Sequence, residues 1–154
     1  MRKTVALLTL VVGVSHPLGG QNLEGVWKPV EIVVDSGPDR GRHTADVQPG
    51  LLIFTRNHYS MNFVQGFKAR PVPGDSATAE QVALLFVPFT ANAGTYKRSN
   101  TTIIVSPSVA KHPAVMAGNP ITVAYRLKRD TLWTNSNVPG VDNSTIKWVR
   151  VERR

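Results

Sequence analysis

Two segments far apart in this chain carry the marks of partner strands. Gly25-Val26-Trp27 opens the first β-like run, and Lys147-Trp148-Val149-Arg150-Val151-Glu152 forms the last. Between them lie short runs of alternating apolar and polar residues, separated by tight turns, with one helix-like insert. An open all-β sheet leaves two edges of unpaired N–H and C=O groups, and joining the first strand to the last removes both. About eight strands are legible, enough for a small barrel whose interior holds side chains and one small ligand. The expected fold is therefore all-β: an antiparallel barrel of about eight strands with one helix packed on or over it.

Period and punctuation set the strand boundaries. Residues 26–34 are β-rich but hold Pro29, which predicts a bent or edge-like strand. Residues 35–49, dense in Gly, Pro, Asp and Arg, form a loop. Residues 51–55 and 59–64 flank Arg56-Asn57-His58 as a hairpin. That pairing sets Phe54 opposite Tyr59 and Leu52 opposite Met61, with Phe63 on the same apolar face. From 76 to 92 the period changes: Val82, Leu85, Phe86 and Phe89 fall at i, i+3, i+4 and i+7, an amphipathic stripe. Asp75 or Ser76 can cap this helix, and Pro88 should kink or end it. Strands resume at 94–98 and 101–106, with Tyr96 opposite Ile103, and 107–119 reads as irregular. Residues 121–128 and 131–135 pair about Arg129-Asp130. Val123, Tyr125, Leu127 and Leu132 then share one face, and Arg126 meets Trp133 on the other in a cation–π contact. Residues 145–152 close the chain.

The N-terminus reads as a secretory leader. Met1-Arg2-Lys3 is positive, Thr4 to Val14 is apolar, and small or turn-forming residues follow. The apolar run is too short to span a bilayer comfortably, and no later run is long enough. Cleavage is expected after Gly20, with Ser15 as the alternative. That leaves 21–154 as one domain, periplasmic or secreted. Without any Cys, an exported chain has no disulfides, thiolate metal ligands or cysteine nucleophile, so packing alone must hold it. The net charge of +8 falls by two when Arg2 and Lys3 leave. It favours anionic partners such as lipid head groups, cell-surface polymers or carboxylates, or simply a solvated positive surface.

Most catalytic patterns are missing. His43, His58 and His112 are far apart, without a metal-ligand spacing. There is no Gly-x-Ser-x-Gly elbow, and neither a phosphate loop nor a dinucleotide fingerprint. The aromatics fall on the inferred inner face and the basic residues mostly on turns, which argues against nucleic acid. No cofactor is expected. One carboxylate stands apart. If Trp27 points inward, strict alternation brings Glu31 inward too, where its pKa would rise and it could shuttle a proton with Tyr59, Tyr96 or Tyr125. If Pro29 introduces a bulge, alternation fails and Glu31 faces water. Asn100-Thr101-Thr102 and Asn143-Ser144-Thr145 match the glycosylation sequon, but Asn is common in turns, and both sites fall in turns.

Several stretches together resemble the lipocalin-like domain family of the calycin superfamily. They are Leu23-Glu24-Gly25-Val26-Trp27-Lys28-Pro29-Val30, Gly50-Leu51-Leu52-Ile53-Phe54-Thr55 running to Tyr59-Ser60-Met61, and Ala79-Glu80 through Ala93-Gly94-Thr95-Tyr96. Tyr125-Arg126-Leu127-x-x-Asp130-x-Leu132 and Trp148-Val149-Arg150-Val151 complete the set, which spans almost all of 21–154. The resemblance implies that Trp27 packs across the barrel's closed end under a basic residue of the last strand, Arg150, with Lys147 as competitor. The departures are Arg129, where relatives often have a turn Gly, and the irregular 107–119 stretch. The family supports fold better than function.

These readings lead to an exported barrel that binds a small hydrophobic or amphipathic molecule. The expected walls are Leu52, Phe54, Tyr59, Met61, Phe63, Tyr96, Ile103, Val123, Tyr125 and Leu127, with Phe86 and Phe89 closing the pocket from the helix. Two other classes stay open. One is a cofactor-free isomerase or cyclase using Glu31, and the other is an interaction module whose barrel is filled by its own side chains.

Overall fold

The first long strand, β1 (Gly25–Val34), is paired along both sides, which decides the architecture. In the computed structural model, which describes residues 22–66, 68–136 and 143–153, Trp27 sits between Leu52 and Arg150, while Val33 sits between His43 and Thr145. One flank of β1 therefore carries the two-residue β2 (His43–Thr44) and β3 (Gly50–Phe54), and the other carries β9 (Ser144–Glu152). From β3 the sheet continues through β4 (His58–Val64), β5 (Phe89–Arg98), β6 (Thr102–Ala110), β7 (Ile121–Lys128) and β8 (Thr131–Ser136) to β9, every pair antiparallel. The β1–β9 pairing closes eight strands into a barrel. The expected leader, residues 1–20, lies outside the described residues.

Sequential antiparallel pairing sorts the connections by length. The short turns β3–β4, β5–β6 and β7–β8 gather at one end with the start of β1 and the end of β9. The long connections gather at the other end, including α1 (Ala79–Phe86) and α2 (Pro113–Ala117).

Several expectations need correcting. The helix spans Ala79–Phe86, not 76–92, because Thr78 caps it: its hydroxyl accepts from the Gln81 N–H, and the Gln81 side chain accepts from the Thr78 N–H. Pro88 stops it, and β5 begins at once at Phe89. None of the helix residues is buried, so α1 does not form a packed cover. The β5–β6 register differs by two residues, with Tyr96 opposite Val105 and Ile103 opposite Arg98. The cause is a wider turn, in which the Ser99 N–H donates to the Thr102 carbonyl and the Ser99 hydroxyl accepts from the Thr102 N–H. A two-residue slip preserves the facing, so Tyr96 and Ile103 both remain inward. Residues 107–119 are not irregular throughout: β6 runs to Ala110, and α2 follows.

Two hairpins match their expected registers. Phe54 lies opposite Tyr59 and Leu52 opposite Met61. Leu127 lies opposite Leu132, and the Arg126 guanidinium is 3.7 Å from the Trp133 ring on the outer face. The core lies inside the ring of strands, where Trp27, Trp148, Leu23, Ile103, Leu132 and Pro29 are fully buried.

Candidate ligand chamber

The short-turn end is sealed. The Arg150 guanidinium lies 4.0 Å from the Trp27 ring, and the two residues are direct partners across the β1–β9 seam. Arg150 is held on every side. Its Nε donates to Asp130 Oδ1 at 3.0 Å, its Nη2 to the Asn22 carbonyl at 2.6 Å and its Nη1 to the Glu24 carbonyl. Its backbone N–H donates to the Asp130 carbonyl. A charge whose side chain is only 8% exposed needs such pairing to be tolerated. The Trp27 indole donates to the Leu23 carbonyl at 2.8 Å, tying the incoming chain under the barrel. Gly25 permits this closure: at φ +127, a Cβ there would lie 2.3 Å from the Glu152 carbonyl oxygen. Lys147 does not compete for the Arg150 role, because it faces outward and pairs with Glu31.

The next layer is aromatic and anchored. Phe54 and Tyr96 meet edge to face at 4.9 Å across β4. The Tyr96 hydroxyl donates to the Thr55 carbonyl and the Tyr125 hydroxyl to the Ser99 carbonyl, so both phenols point to the sealed end. Burial raises the Tyr96 pKa and pushes the Tyr59 pKa up to about 12. The Tyr59 hydroxyl donates to Asn92 Oδ1 at 2.7 Å. Tyr59 and Tyr96 therefore stay neutral at ordinary pH.

Above this floor the lining is uneven. Phe63 and Trp148 meet edge to face at 6.3 Å, filling the interior between β4 and β9. The Trp148 indole donates to Thr134 Oγ1 at 2.9 Å. Met61, Ile121, Val123, Tyr125, Leu127 and Ile146 also pack against the core but stay only partly buried. Along β7 the alternation is regular: outward residues are exposed and inward ones are partly buried. This partly buried inner face shares the interior with two polar side chains, Asn92, which accepts from Tyr59, and Thr134, which accepts from Trp148.

Of the expected wall, Leu52, Phe54, Tyr59, Phe63 and Ile103 are buried, and Met61, Tyr96, Val123, Tyr125 and Leu127 are partly buried, all on the inner face. Two placements differ. Phe89 pairs with Val64, opposite in phase to inward Phe63, so it faces outward, where Arg70 lies over its ring at 5.3 Å. Phe86 is 53% exposed on α1, with the Lys111 ammonium 4.4 Å from its ring. Neither closes the pocket. The sequence reading places Leu132 on the inner face with Val123, Tyr125 and Leu127, as found, but misses Trp148, Ile146, Asn92 and Thr134. Counting in twos from inward Arg150 would have found Trp148 and Ile146, whereas Asn92 had been assigned to the helix.

Glu31 lies outside the barrel. The β1–β9 register shifts between Pro29 and Glu31, so Pro29 and Ile32 both face the core while Glu31 faces out. Its carboxylate accepts from Lys147 Nζ at 2.9 Å and lies 2.9 Å from His43 Nε2. The Lys147 hydrogen bond, then the His43 one, lowers its pKa. An isomerase that depends on Glu31 as a lumenal base is thus not supported, and among the described residues no carboxylate is buried. No group of three or more metal-binding side chains occurs among them either.

No protein-family model matches the chain, and a search of curated proteins found no significant match.

Proposed function

We propose that this is an exported, lipocalin-like carrier that holds a small hydrophobic or amphipathic molecule inside the barrel. The observation that carries this reading is the partly buried apolar inner face at Ile121 and Val123 of β7, with Met61 and Ile146, beyond the buried Trp27 and Phe54 of the sealed end. An apolar ligand laid on that face would gain roughly 25 cal/mol per Å² of apolar area covered, before the costs of binding. In this reading the Asn92 amide N–H groups and the Thr134 hydroxyl would orient a polar head group, because ligand pockets combine apolar walls with few polar contacts. The leader-like pattern of residues 1–20 supports export.

The direct test is titration with a fluorescent fatty-acid analogue. Saturable binding that Val123→Trp weakens without unfolding the protein supports the carrier. A barrel that excludes every apolar probe would instead favour the interaction module.

A further inference from the structure

The positive charge is concentrated at one end of the barrel. Each hairpin turn at the sealed end carries exposed basic residues: Arg56 after β3, Lys97 and Arg98 before the β5–β6 turn, and Lys128 and Arg129 after β7, with Arg153 just past β9. The acidic residues there are Glu24, Asp130 and Glu152, and Asp130 is already engaged by Arg150 and Arg153. At the long-loop end, residues 35–49, 65–88 and 111–120 hold five Lys and Arg against five Asp and Glu. The body of the molecule is therefore electrically polar, with its positive pole at the sealed end.

We propose that the sealed end docks on an anionic phospholipid bilayer. Three turn tips spaced around a rim, with Arg153 beside β9, present their charges to a flat surface, not to a groove. The turns themselves hold no Phe, Tyr or Trp, so they offer no stacking platform for nucleic-acid bases. Trp27, Phe54, Tyr96 and Tyr125 belong to the inner layer, and both phenols bind backbone carbonyls. What remains is a set of long basic side chains, the electrostatic footprint that adsorbs to acidic head groups. Docked in this way, the barrel turns its long-loop end towards solvent. The inference does not depend on what the barrel holds.

Vesicle co-sedimentation tests it with the full chain. Vesicles of phosphatidylglycerol and phosphatidylcholine should bind it, and pure phosphatidylcholine vesicles should bind far less. Raising salt from about 0.05 M to about 0.5 M should release it, as screening shortens the reach of each charge. The triple variant Arg56→Gln, Lys97→Gln, Lys128→Gln should lose roughly 100-fold in partitioning at low salt. Its thermal midpoint should be unchanged, because all three side chains are exposed. The matched triple at the other end, Arg40→Gln, Arg42→Gln, Lys68→Gln, should lose less than about fivefold. Equal losses from the two triples would overturn the proposal. So would salt-insensitive binding to both vesicle types, or binding to a soluble acidic polysaccharide with none to vesicles.

Discussion

Arg150 caps Trp27 across the seam that closes the barrel. The two are β-ladder partners, their charge and ring stand 4.0 Å apart, and Arg150 also reaches carbonyls of Asn22 and Glu24 ahead of β1. One side chain from the last strand therefore fixes both the first strand and the chain that enters it. Trp27→Ala should cost about 3–5 kcal/mol as a large-to-small change at a fully buried site. Arg150→Ala should cost about 2–3 kcal/mol, since it strips charged hydrogen bonds from two backbone carbonyls. A double-mutant cycle by urea denaturation should give a coupling of about 1–2 kcal/mol. Strict additivity would contradict the pairing.

Gly25 makes the same seam sterically possible. Gly25→Ala should cost about 3 kcal/mol or more, because its backbone is left-handed and the new methyl meets the Glu152 carbonyl. Gly41 is a matched control: it also has positive φ, but nothing lies within 4 Å of a Cβ there. Gly41→Asn should shift the urea midpoint little, since Asn tolerates this conformation.

Acid should loosen the barrel through two carboxylates at the seam. Glu31 is lowered by Lys147 and His43, and Asp130 by Arg153 and then Arg150, from ordinary values of 4.5 and 3.8. Below those values the unfolded chain takes up protons that the folded chain still refuses. Their contribution is therefore present above the unfolded values and lost as pH falls through the lower folded ones. Stability followed by circular dichroism should be flat down to about pH 5 and decline below it. The double variant Glu31→Gln, Asp130→Asn should decline less steeply.

Export has its own check. Intact-mass analysis of protein recovered outside the cytoplasm of its host should show loss of about twenty N-terminal residues. Full-length protein confined to the cytoplasm would refute the leader.

Closure was legible because it rests on residue types with few alternatives: a buried Trp on the first strand and an Arg on the last. The hairpins of β3–β4 and β7–β8 were legible for a similar reason, since a short turn and alternating faces leave one register. The helix was overextended because Phe89 falls by chance at helical spacing from Val82. Pro88 overrides that spacing, and the preceding chain is held by the Thr78 cap. That error hid the first half of β5, and with it the Asn92 that receives the Tyr59 hydroxyl. Glu31 turned on a single bulge: alternation alone places it inside, and the shift after Pro29 places it outside. The two-residue slip at β5–β6 came from side-chain hydrogen bonding by Ser99, which hydrophobic periodicity does not encode.

Whether the partly buried inner face of β7 takes up an apolar ligand is settled by one measurement. A fluorescent fatty-acid analogue should be titrated into the wild-type protein and into Val123→Trp, with folding of both followed by circular dichroism. The wild type should bind saturably, and the variant should stay folded and lose at least about tenfold in affinity, ~1.4 kcal/mol. Undiminished binding to a folded Val123→Trp variant, or none to the wild type, would contradict the carrier reading.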